Sequence, residues 1–93
     1  MNKKKLNTVR HKIDKLDLRL FNLIKTRTNL VNEVIKIKKN KNQIIDQKRI
    51  KNILRNIKKI SIKNKIDPKI TNKIWISMIN SFIDYEKKNF SKK

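Results

Sequence analysis

From Leu6 to Ile37 the chain carries an apolar residue every three or four positions, with no Gly or Pro to interrupt the run. The series is Leu6, Val9, Ile13, Leu16, Leu20, Leu23, Arg27, Leu30, Val34 and Ile37, aliphatic everywhere except at Arg27. Such spacing is the stripe of one long helix packed on other helices. It predicts a first helix over about residues 5–39, roughly 50 Å long at ~1.5 Å per residue. Asn40–Gln43 is a polar break, after which Asp46 offers an N-cap for a second helix over 46–63. Its apolar residues Ile50, Ile53, Leu54, Ile57 and Ile60 recur at helical spacing. Asp67-Pro68 is a start signal, an N-cap followed by proline at the first helical position, for a third helix over 68–88. That helix sets Ile70, Ile74, Trp75, Met78, Ile79, Phe82 and Ile83 on one side, and residues 89–93 read as a disordered end. No strand pattern competes. The expected fold class is all-α, with three helices in a single domain over residues 1–93.

The second and third helices are each about half as long as the first, so one chain cannot cover the seam. The economical solution is an intertwined homodimer with the long helices antiparallel. A monomeric three-helix bundle with a protruding helix is the alternative.

Composition narrows the partners. The 93 residues include 22 Lys, 17 Ile and 13 Asn, no Ala and no Cys, with a net charge of +20. That charge invites a nucleic acid or an anionic membrane. Lys, Ile and Asn are also the residues of adenine- and thymine-rich codons, and the lysines are scattered along the chain instead of forming one basic face. A solvated surface explains them, and neither nucleic acid nor membrane is expected as a partner. Without Cys there is neither a disulfide framework nor thiol catalysis. No apolar segment resembles a secretory signal or reaches membrane-spanning length, so the chain reads as cytoplasmic.

Arg27 is the exception that carries chemistry. A guanidinium buried bare would cost several kcal/mol, so it snorkels to the edge of the seam or holds an anion. Lys38 follows eleven residues later, within ~20° of the same helix direction and about 16 Å along the axis. If two antiparallel helices cross near residue 21 or 22, Arg10 of one chain falls midway between Arg27 and Lys38 of the other. Arg49 lies on the row Arg49, Ile53, Ile57, Ile60, with Asp46 one turn before it. Three arginines and a lysine walled by aliphatic residues suit a small dianion with an apolar body. His11 stands alone as a surface residue. Asp14 and Asp17 sit among Lys12, Lys15 and Arg19 as a solvated ion-pair face, and Trp75 reads as core. No metal-ligand spacing, Gly-rich phosphate loop or nucleophile–base pair is visible, and no cofactor is expected.

Taken together, these residues resemble the all-helical chorismate mutase family. The first helix, Arg10-x-x-Ile13-Asp14-x-Leu16-Asp17, continuing through Leu20, Leu23, Arg27, Leu30, Glu33, Val34 and Lys38, is similar to that family's pattern at each named position. Ile44-Ile45-Asp46-x-x-Arg49 resembles the start of its second helix. Ile66-Asp67-Pro68, Ile74-Trp75 and Met78-Ile79 resemble its third. The likeness covers about residues 6–86. It implies an intertwined dimer that rearranges chorismate to prephenate, in phenylalanine and tyrosine biosynthesis, without a cofactor. By this resemblance Arg27 and the other chain's Arg10 grip the carboxylates, and Lys38 reaches the ether oxygen and a carboxylate. Asp46 meets the ring hydroxyl, Arg49 adds positive potential, and Glu86 takes the place of the family's usual Gln donor to the ether oxygen. Two further positions depart from the pattern. Ile50 stands where many members have Glu, and Phe82 where Ser is common, with Ser81 next to it. A basic helical nucleic-acid-binding protein and a catalytically weak regulatory relative are the competing readings.

Overall fold

The computed structural model describes residues 2–92, which are helical through most of their length with no strand among them. Helix α1 spans Lys3–Ile37, α2 spans Gln47–Lys63 and α3 spans Pro68–Phe90, with a short 3₁₀ turn at Lys41–Gln43. The chain divides into two units, one running to Val31 and the other beginning at Asn32.

The first unit is a single helical rod. It opens where Asn2 Oδ1 accepts from the Lys5 amide at 3.1 Å, which satisfies one of the orphan donors of a helix start. Its seam finds no cover: Val9, Ile13, Leu16, Leu20, Leu23 and Leu30 remain 49–67% exposed. Leu18 and Phe21, which point away from the seam, are exposed as well. A helix that is apolar around much of its circumference is normally buried on more than one side.

The second unit holds the end of α1, the connection, α2 and α3. Helices α2 and α3 pack on each other, and the Ser61 and Thr71 hydroxyls join them at 2.7 Å. Ile35, Ile44 and Ile79 are its buried apolar residues. On α2, Ile50, Ile53, Leu54 and Ile57 are half-buried at helical spacing, whereas Ile60 is exposed. On α3, Ile79 and the half-buried Trp75, Met78, Phe82 and Ile83 mark the inner side, while Ile70 and Ile74 of the same stripe face outward.

Each helix boundary has a local cause. α1 stops at Ile37, two residues short of the spacing's suggestion, where Gln43 Oε1 accepts from the amides of Lys39 at 2.8 Å and Asn40 at 3.2 Å. Asp46 Oδ1 caps α2 by accepting from the Arg49 amide at 3.0 Å, and Asp67 Oδ1 caps α3 through the Lys69 amide at 2.9 Å. α2 closes with Ile66 N–H on the Ser61 carbonyl and Lys65 N–H on that of Ile62. This Schellman pattern places Lys65 at φ 57°, the left-handed position usually given to glycine. The tail expected to be disordered is partly helical. α3 continues through Asn89, whose Nδ2 donates to the Tyr85 carbonyl at 2.9 Å, and the half-buried Phe90; Lys93 lies outside the described residues.

Candidate functional site

The inward row of α3 explains how a carboxyl comes to lie inside the second unit. Trp75, Ile79, Phe82 and Glu86 follow one another at four, three and four residues, so Glu86 shares the side that α3 buries. It is only 8% exposed. A buried carboxylate needs a partner, and Lys38 provides one, its Nζ lying 3.2 Å from Glu86 Oε1. The same ammonium reaches the Ile44 carbonyl at 3.5 Å. Lys38 follows the last turn of α1, where the peptide is still tied by its N–H to the Val34 carbonyl at 2.9 Å. The half-buried side chain therefore leaves a firm backbone and turns toward α3. The buried Ile44 and Ile79 and the half-buried Ile50 give this unit aliphatic walls. A buried carboxyl held by a cation can receive a substrate that carries charge.

The other candidate residues are placed as follows. Asp46 caps α2, which directs one carboxylate oxygen at its own helix and sets Arg49 at the third helical position. Arg49 is exposed. Arg10 and Arg27 belong to the first unit; Arg10 is exposed, and Arg27 is half-buried with its Nη1 atom shielded from solvent. The second unit thus joins Lys38 and Glu86, while the guanidinium of Arg49 stays in water. Ser81 is exposed and donates to the Ser77 carbonyl of its own helix at 2.8 Å, so Phe82 is the residue on the inner side.

One pair was not foreseen from the sequence. Tyr85 Oη donates to Asn32 Oδ1 at 2.6 Å, between residues 53 apart in the chain. Neither residue breaks an apolar pattern, so spacing gives no sign of the bond. Among the described residues no group of three or more His, Asp or Glu is gathered as a metal site, and no helix is long and apolar enough to cross a membrane.

Comparison with known protein families matches residues 9–87 to the family described as chorismate mutase type II. No curated protein and no solved structure matches the chain.

Proposed function

Because the chain belongs to the chorismate mutase type II family, we propose that it rearranges chorismate to prephenate in a cationic pocket shared between two copies of itself. Family membership supports chorismate mutase activity in general, and with it an isomerase that binds chorismate. The observation that carries the reading to particular residues is the buried Glu86 carboxyl held by Lys38 at 3.2 Å.

The reaction breaks an ether C–O bond as a C–C bond forms, within one molecule and without a covalent intermediate. Negative charge grows on the ether oxygen, so fixed cations and donors favour the transition state over the ground state. Clamping both carboxylates also holds the folded conformer in which the reacting carbons meet. In this reading Lys38 serves the ether oxygen and one carboxylate, and Arg27 with the second copy's Arg10 grips the carboxylates. Asp46 meets the ring hydroxyl in place of the missing Glu at Ile50, and Arg49 raises the local potential. Glu86 faces the ether oxygen, at the place of the family's usual Gln, once the substrate carboxylate has taken its place beside Lys38.

The second copy is required on two counts. The first unit is a helix whose aliphatic seam is half to two-thirds exposed, and an isolated helix of this kind has little stability of its own. Antiparallel pairing of two such helices covers the seam and brings Arg10 midway between Arg27 and Lys38 of the other chain.

Following the loss of chorismate absorbance with purified protein tests the activity directly. Turnover far above the uncatalysed rate is expected. Folded protein that binds chorismate without converting it would instead be a regulatory relative, and folded protein indifferent to chorismate would remove the reading altogether.

A further inference from the structure

Two of the bonds between the end of α1 and α3 differ in character. One is the Lys38–Glu86 ion pair. The other is the hydrogen bond from Tyr85, the residue immediately before Glu86, to Asn32, six residues before Lys38. Tyr85 is itself braced within α3: its ring meets that of Phe82 edge-on at 6.3 Å and 76°, and its carbonyl accepts from Asn89 Nδ2. Both Tyr85 and Asn32 are half-buried, and the chemistry proposed above uses neither.

The difference in character matters when substrate arrives. A substrate carboxylate competes with Glu86 for the Lys38 ammonium, so the ion pair is weakened by binding itself. The phenol–amide bond is neutral and keeps its strength whatever the charge nearby. Residues 85 and 86 are ~100° apart on the helix, so fixing the phenol fixes the rotation of the turn that carries the Glu86 carboxyl.

We infer that Tyr85 and Asn32 are positioning residues: their hydrogen bond holds α3 in register against α1, so that Glu86 stays aimed at the reacting oxygen after the substrate has displaced it from Lys38. This rests on the chorismate mutase reading of the site. A misplacement of about 1 Å in a reacting group costs as much as a hundredfold in rate, so a loosened Glu86 should be felt in turnover more than in binding.

The test uses the full-length protein carrying Tyr85→Phe, Asn32→Ala or Asn32→Asp, each alone and combined with Glu86→Ala. Tyr85→Phe and Asn32→Ala should each lower kcat about tenfold with little change in KM, and Asn32→Asp, which keeps the accepting oxygen, should recover most of that loss. In the Glu86→Ala background the same changes should cost less than about twofold, because the group they position is gone. An equal loss in both backgrounds, or a lower melting temperature with unchanged kcat per folded chain, would overturn the inference. A second readout needs no substrate. The ¹⁵N ammonium resonance of Lys38, slowed in its exchange with water by the ion pair, should broaden in Tyr85→Phe and stay sharp in Asn32→Asp. An unaltered resonance in Tyr85→Phe would equally overturn the inference. A resonance that responds in a protein without turnover would uphold the positioning role and sink the proposed activity, whereas turnover with additive losses would do the reverse.

Discussion

Arg27 occupies a place that the spacing of α1 reserves for an aliphatic side chain, and it is half-buried there. Replacing it with Leu completes the seam, so Arg27→Leu should fold at least as stably as the native protein. Its turnover should fall by about a hundredfold or more, the usual scale for losing one preorganised charge contact. Thermal melting and kcat/KM, measured on the same preparation, separate the two effects; a destabilised fold with intact turnover per folded chain would mark Arg27 as a snorkelling structural residue. Glu86 makes a second prediction. A carboxyl donates only while it carries its proton, whereas an amide N–H donates without one. Glu86→Gln should therefore raise kcat, while Glu86→Ala should lower it. Turnover unmoved by either substitution would remove Glu86 from the ether oxygen. The inward place of Glu86 was legible in the sequence, because the row from Trp75 through Ile79 and Phe82 ends on it. Its ion pair with Lys38 was not, since spacing says where a side chain points and nothing of which distant residue it meets. Lys65 was equally hidden. In a chain without glycine the left-handed position after α2 falls to a lysine, and only the backbone reveals it. Lys65→Gly should stabilise the protein by about 0.5–1 kcal/mol, the relief of the Cβ clash less the added freedom of the unfolded chain, measured by urea unfolding.

Helix ends follow from short-range chemistry, which is why the starts of α2 and α3 were readable from Asp46 and Asp67-Pro68. The end of α1 was less so, because a glutamine six residues beyond Ile37 turns back to accept the Lys39 and Asn40 amides, and nothing in composition announces that turn. The tail of α3 departs from its composition for the converse reason. Polar and basic residues suggest disorder, yet Asn89 bonds to the Tyr85 carbonyl and Phe90 is partly covered, so the helix persists. The junction of α2 with α3 depends on a polar contact inside an apolar interface. Ser61, 2% exposed, stands 2.6 Å from the Ile57 carbonyl and 2.7 Å from the Thr71 hydroxyl. Ser61→Ala should cost on the order of 1 kcal/mol by taking from the Thr71 hydroxyl its partner across the junction, while kcat at saturating substrate stays within about twofold, since the junction is distinct from the Lys38–Glu86 contact. A large fall in kcat without loss of stability would show that the two ends of α3 are coupled.

For the molecule as a whole, the long seam was the most legible feature and remains the least satisfied one. Its spacing calls for cover along all of α1, and in one chain the aliphatic seam residues from Val9 to Leu30 are open to water. Under the dimer reading each site draws Arg10 from one chain and Arg27 from the other. Chains carrying Arg10→Ala and chains carrying Arg27→Ala should therefore be nearly inactive apart, yet regain activity when unfolded and refolded together, since a mixed pair contains one intact site. Failure to regain it, with mixed pairs confirmed by mass spectrometry, would place both arginines in the same chain's site. Melting temperature should also rise with protein concentration, as it does whenever association and folding are one equilibrium.

The bare first unit has a consequence for a living cell. Under the proposed pairing a newly made chain must find another before α1 is sheltered, so assembly is second order in chain number, while proteolysis of solitary chains is first order. The competition favours destruction when synthesis is slow and rescue when it is fast. Halving the gene's expression should then lower the accumulated protein by more than half, a supralinear dosage response that a pulse-chase at graded induction would reveal.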